Sequence, residues 1–88
     1  MSCPLCEAEH ITPWLYEDNI CWVALCARCQ VPMVVLRRHT AEPSPEERDH
    51  MLDVLKRVAG QYYGHNNFRI DERRRAIPEH YHAHARLL

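Results

Sequence analysis

The chain has 88 residues and a mass of 10.4 kDa, enough for one domain, and domains this short keep little stability once conformational entropy is set against burial. Hydrophobic residues make up 47% and charged residues 26%, near the globular average, which excludes wholesale disorder and collagen-like or coiled-coil repeats. With 11 basic against 12 acidic side chains the formal net charge is -1, so no global positive field draws the protein onto nucleic acid and any basic site is local.

In chain order, a Cys3-Pro4-Leu5-Cys6 unit precedes two β-prone runs, Trp14 to Tyr16 and Ile20 to Leu25. Asp18-Asn19 between them supplies turn chemistry, which predicts a hairpin. A second unit, Cys26-Ala27-Arg28-Cys29, leads into Val31 to Arg37, a third strand whose Pro32 belongs at an edge or near the strand start. Ser44-Pro45-Glu46-Glu47 predicts a helix start, with Ser44 as cap, Pro45 at the first helical position and Glu47 closing a capping box. Met51, Leu52, Leu55, Val58, Ala59 and Tyr62 recur at spacings of three and four, an apolar stripe that must pack on a sheet or a partner. Gly60 weakens the last turn, and Gly64 is the expected stop. Asn67 to Asp71 is a short strand candidate, followed by a polar, arginine-rich connection from Glu72 to Ala76. His80, His82 and His84 then alternate with Tyr81, Ala83 and Ala85, the period of two of a strand, which sets all three histidines on one face. The expected fold is a single α+β domain spanning residues 1–88, a mostly antiparallel sheet with one principal helix and a metal knuckle at one end.

The longest nearly apolar stretches, Val23 to Ala27 and Val31 to Leu36, are far below the roughly 20 residues of a membrane span. The first twenty residues mix Pro, Glu and His where a signal peptide is apolar, so a soluble, cytoplasmic protein is expected. Five cysteines in so short a chain suit a secreted disulfide scaffold, but the number is odd and four fall in two Cys-x-x-Cys pairs, which favours a metal in a reducing compartment.

Those two pairs, Cys3 with Cys6 and Cys26 with Cys29, are nineteen residues apart, within the spacing associated with zinc sites. Two tight turns, one from each end of a hairpin, bring four thiolates to one ion with Zn–S distances of about 2.3 Å. Four thiolates close the shell, so the expected zinc is structural; iron in the same shell is the alternative metal. Cys21 reads as a small strand hydrophobe. Trp14, Trp22 and Tyr81 read as core or interface aromatics, Tyr62 and Tyr63 as packing residues, and His10, His50 and His65 as solvent-facing.

Three imidazoles on one strand face titrate near neutrality, which suits nucleophilic attack, proton transfer or metal binding. The order Tyr16-Glu17-Asp18, Val34-Val35-Leu36-Arg37-Arg38-His39, Ser44-Pro45-Glu46-Glu47 and His80-Tyr81-His82-Ala83-His84-Ala85 resembles the landmarks of the histidine triad (HIT) nucleotide hydrolases and transferases. The likeness spans about residues 16 to 86, and the triad is its specific motif. It implies that His82 attacks the α-phosphorus of a nucleoside phosphoramidate or dinucleoside polyphosphate, forming a nucleotidyl-histidine that water resolves. By the same likeness His80 and His84 orient the nucleophile and contact phosphate, and His39 matches a fourth histidine that joins the site. Zinc-bearing relatives complete an N-terminal cysteine pair with histidines, so Cys3 and Cys6 with His39 and His80 form an alternative shell to the four cysteines. HIT-like proteins commonly pair through their helix and an edge strand, which implies a homodimer.

The family's glycine, glutamine and hydroxyl residue before the triad, which cradle the phosphate, are replaced here by Arg75, Ala76 and Ile77, and Arg86 follows Ala85 where an apolar residue is usual. Arg73, Arg74 and Arg75 stand where the cradle would be, and guanidinium forks bind phosphate bidentately without it; a solvated loop balanced by Asp71 and Glu72 is the alternative. Arg37 and Arg38 read either as phosphate contacts or as exposed strand residues. The competing function class is a non-enzymatic zinc-ribbon module that binds a protein or nucleic acid through its arginines.

Overall fold

The structure, a computed structural model, describes residues 13–26, 30–72 and 79–88. Five strands, β1 (Trp14–Glu17), β2 (Cys21–Leu25), β3 (Pro32–Leu36), β4 (Phe68–Asp71) and β5 (His82–Leu87), and one helix, α1 (Pro45–Tyr63), follow in the order β1-β2-β3-α1-β4-β5. The strands form one sheet in the order β1-β2-β3-β5-β4, and every neighbouring pair is antiparallel. The α+β architecture with one principal helix is therefore as the sequence implies. Among the described residues no helix is long and apolar enough to cross a membrane.

β2 and β3 read Cys-Trp-Val-Ala-Leu and Pro-Met-Val-Val-Leu, and their side chains are buried on both faces. Continuous apolar runs are what interior strands carry when something packs on each side. One face meets α1: Cys21, Val23, Val34 and Leu36 join Met51, Val54, Leu55, Val58 and Ala59 of the helix, with Tyr81, Ala83 and Ala85, in one buried cluster. The opposite face has a smaller cluster of Trp22, Ala24 and Val35, flanked by Trp14 and Met33. There the Trp14 and Trp22 rings stack with centroids 4.5 Å apart, and the Arg37 guanidinium lies 6.0 Å over Trp14. Pro32 is the first residue of β3, a position where a missing N–H is tolerated.

The helix boundaries obey local chemistry. The Ser44 hydroxyl accepts from Glu47 N–H at 3.1 Å and the Glu47 carboxylate accepts from Ser44 N–H at 2.8 Å, a reciprocal box. Arg38 adds a 2.6 Å ion pair to the same carboxylate, and Arg38 first, then the Ser44 N–H, lower the Glu47 pKa to about 2. At the other end Gly64 adopts φ 77°, and its N–H donates to Gly60 O; the left-handed region favours glycine there.

Three expectations need correction. β5 begins at His82 and extends to Leu87, so His80 lies ahead of the strand. Tyr62 is exposed, because the helix turns it away from the sheet, and Val54 takes the buried place in the stripe. His50 is half-buried rather than solvent-facing, with Nε2 2.6 Å from Asp18 Oδ2. Ser44→Ala removes one half of the capping box and is expected to cost about 1 kcal/mol. In a domain of this size that lowers Tm by about 4–8 °C in thermal denaturation.

Candidate functional site

Paired residues on an antiparallel ladder share a face, so the register of β5 decides where its histidines go. His82 stands opposite Val35 and His84 opposite Met33 on β3. On its other flank, His84 stands opposite Asp71, and Arg86 opposite Arg69, on β4. His82, His84 and Arg86 therefore occupy the face away from α1, while Ala83 and Ala85 lie in the helix-side cluster. His82 and His84 are only 6% and 7% exposed, and their rings meet edge-on with centroids 5.7 Å apart.

His82 Nδ1 lies 2.8 Å from the His80 carbonyl oxygen. A carbonyl only accepts, so Nδ1 carries the proton in the neutral ring and the basic lone pair is on Nε2. His84 differs: both of its ring nitrogens are buried, and neither has a hydrogen-bond partner among the described residues. Burial first, then the charge of Arg86 and the proximity of His82, lower its pKa from 6.5 to about 4. Arg86 is anchored by Asp71, with Nε to Oδ2 at 2.8 Å.

His80 is fully buried and joins two segments. Its Nε2 donates to the Leu36 carbonyl, which puts the lone pair on Nδ1, and His39 Nδ1 lies 3.2 Å from that atom. The adjoining backbone is tied as well, since Tyr81 N–H donates to Thr40 O at 2.7 Å and Leu36 N–H to Tyr81 O at 3.2 Å. Zinc–nitrogen distances of ~2.0–2.1 Å give a tetrahedral edge of about 3.3 Å, so the two Nδ1 atoms stand at a separation that fits one ion. A carbonyl partner on the far nitrogen is also the usual support of a metal-binding imidazole.

Of the predicted metal ligands, Cys3, Cys6 and Cys29 lie outside the described residues, as do Arg73, Arg74 and Arg75 of the predicted phosphate loop. Cys26 is described and half-buried. Its N–H donates to Val31 O at 2.9 Å, and its carbonyl accepts from Gln30 N–H at 2.8 Å. Gln30 adopts φ 55°, a left-handed residue in the tight connection between β2 and β3. Arg37 and Arg38 are exposed and engaged, Arg37 with Glu17 and Arg38 with Glu47.

Sequence reasoning missed a cluster at the hairpin turn. Asp18 Oδ1 accepts from Ile20 and Cys21 N–H, while Oδ2 accepts from Tyr16 OH at 2.7 Å and is paired with His50. Burial raises the Asp18 pKa, but these hydrogen bonds, led by the Cys21 N–H, outweigh it and hold the carboxyl well below its ordinary range. Burial, with the Asp18 charge beside it, pushes the Cys21 thiol up to about 12. Asp18, Cys21 and His50 place one donor atom each within 4.8 Å of one another, which could hold a cation; in the protein these groups tie the hairpin to α1. Asp18 was legible as a turn residue, whereas His50 meets it only through tertiary packing. A separate cleft of about 220 Å³, lined by Leu15, Val58, Gln61 and Tyr62, carries no titratable group except the tyrosine.

No protein-family model matches the chain, and no curated protein matches it.

The His84 environment makes stability pH-dependent with a defined sign. Below pH 6.5 the unfolded chain takes up a proton at this residue that the folded protein does not accept until about pH 4, so stability is complete above 6.5 and falls as the pH drops. The interval corresponds to about 3 kcal/mol. His84→Gln should flatten that limb of the denaturation profile, and an NMR titration of the wild-type His84 ring in the folded protein should show a midpoint near the lower value.

Proposed function

We propose that this chain is a HIT-like protein acting at a nucleotide phosphoanhydride or phosphoramidate, with His82 as nucleophile. The observation that carries the reading is the hydrogen bond from His82 Nδ1 to the His80 carbonyl, which fixes the ring and leaves Nε2 as its basic atom on a buried sheet face. In the proposed reaction Nε2 forms a bond to the α-phosphorus, the bond to the leaving group breaks, and water then cleaves the phosphorus–nitrogen bond and restores the imidazole. His84 is neutral at pH 7, so it adds no charge to that of Arg86 on this face.

A bound zinc is part of the same reading and would supply structural cross-linking. Four cysteines, Cys3, Cys6, Cys26 and Cys29, are one shell, supported by their spacing in the sequence. The spacing of the His39 and His80 Nδ1 atoms favours the second shell, Cys3 and Cys6 with these two histidines. In either case the His80 backbone carbonyl that orients His82 is held in place by the ring anchored at Leu36.

His82→Asn is expected to abolish turnover of an adenosine phosphoramidate or dinucleoside polyphosphate with zinc content and Tm unchanged. Turnover that survives the substitution rejects His82 as nucleophile. If no nucleotide binds the folded wild type at millimolar concentration, the binding-module class replaces the enzyme. Metal analysis should give about one zinc per chain, since a closed site of this kind contributes its binding energy to folding. His39→Ala should lose that zinc if the mixed shell is correct, and Cys26→Ala should lose it if the four-cysteine shell is correct; a metal-free wild type rejects both.

A further inference from the structure

The turn of the β1–β2 hairpin and the second turn of α1 bring three different donor atoms together. Asp18 Oδ2 lies 2.6 Å from His50 Nε2 and 4.0 Å from Cys21 Sγ, and the three residues offer one donor atom each within 4.8 Å of one another. Around a tetrahedral zinc, nitrogen and oxygen ligands stand about 3.3 Å apart and sulfur and oxygen ligands about 3.6 Å apart. One contact must therefore open by about 0.7 Å and the other close by about 0.4 Å. The His50 side chain is 35% exposed, so its ring can withdraw toward solvent without displacing the core. The carboxylate is already aimed: Oδ1 accepts from Ile20 and Cys21 N–H at 2.7 and 2.8 Å, which turns Oδ2 toward the histidine and the thiol. Outer hydrogen bonds of this kind, with that of Tyr16 OH to Oδ2, are the usual support of a metal-binding carboxylate.

We infer that Asp18, Cys21 and His50 form an exchangeable site for a transition-metal ion of the zinc class, sharing no residue with the zinc shells of the proposed function and independent of that reading. Carboxylate, thiolate and imidazole are the protein ligands of zinc, whereas calcium and magnesium require oxygen shells that one carboxylate does not supply. The charges balance, since a carboxylate and a thiolate offset the two charges of the ion where Cys21 is 0% exposed. Arg37, whose Nε donates to the Asp18 carbonyl at 2.6 Å, is itself paired with Glu17. On binding, the metal–sulfur bond replaces the S–H bond and that proton passes to solvent. In a neutral His50 ring the proton that Nε2 donates to Asp18 is exchanged through solvent for one on Nδ1, which frees the Nε2 lone pair for the ion. Three protein ligands leave a fourth position for water, on the side where the Asp18 and His50 side chains are 23% and 35% exposed. The ion then cross-links the hairpin to α1 where a hydrogen bond otherwise does so.

The test adds zinc to the full-length protein as purified, with the metal it already holds, and follows binding by calorimetry and by Tm. One further zinc per chain should bind saturably and raise Tm with its concentration, while magnesium and calcium leave Tm unchanged. Cobalt(II) added in place of zinc should give the charge-transfer absorption of a cobalt–thiolate bond, and Cys21→Ala should lose it. His50→Gln and Cys21→Ala each remove a ligand and should weaken the added zinc by at least the ~10–100-fold that loss of an outer hydrogen-bond partner costs; Tyr16→Phe, which removes such a partner, should fall within that range. His50→Gln leaves the core untouched and carries the test if Cys21→Ala does not fold. His65→Gln, at an exposed position, should bind as the wild type does. A wild type that takes up no further zinc, or added zinc that binds His50→Gln as tightly as wild type, overturns the site. A protein purified without metal that then binds one zinc dependent on Cys21 and His50 keeps this site and rejects both shells of the proposed function. One zinc on purification and none thereafter does the reverse.

Discussion

His80 is fixed at both its ring and its backbone, and the histidine face depends on that double attachment. The ring is held by the Leu36 carbonyl at the end of β3 and by His39, while the main-chain oxygen receives His82 Nδ1. A residue whose side chain belongs to one segment and whose carbonyl aims a neighbour's ring couples the two mechanically. Because the donor must be Nδ1, the tautomer of His82 is selected by backbone geometry. Loss of the His80 ring would therefore disturb the orientation of His82.

The second constraint is steric. β5 lies inside the sheet, between β3 and β4, so both of its edges are hydrogen-bonded, and a slip of one residue would exchange its two faces. Ala83 and Ala85 are fully buried on the helix side, and their small side chains let α1 close onto β3 and β5. Histidines on that side would lie in an apolar cluster. At the other end of the layer, the Asp18 carboxylate binds hairpin backbone, Tyr16 and His50 together. That tie fixes the helix from its second turn, just past the cap made by Ser44 and Glu47.

Local chemistry explains what could be read from the chain alone. The capping box, Gly64, the hairpin turn at Asp18 and the alternation around His82 are short-range patterns, each set by residues within four positions of one another, and each appears in the structure. The three-and-four spacing of α1 continues to Tyr62, one turn beyond its last buried residue, Ala59. Alternation through Tyr81 predicts a strand at His80, while the ladder with β3 begins only at Val35 opposite His82. His50 against Asp18, His39 against His80 and Arg69 against Arg86 join residues 32, 41 and 17 positions apart. No periodicity carries that information; the first follows from α1 packing over the β1–β2 hairpin, and the other two from β5 entering the sheet between β3 and β4.

A buried imidazole with no partner is unfavourable in a domain of this length, where total stability is of the order of 5–15 kcal/mol. His84 nevertheless occupies a position at which an apolar residue could pack against Met33. Burial first, then the charge of Arg86 and the proximity of His82, hold its pKa at about 4, so at neutral pH the ring contributes no charge to the face. Its cost appears only on acidification, where the unfolded chain accepts a proton that the folded protein refuses.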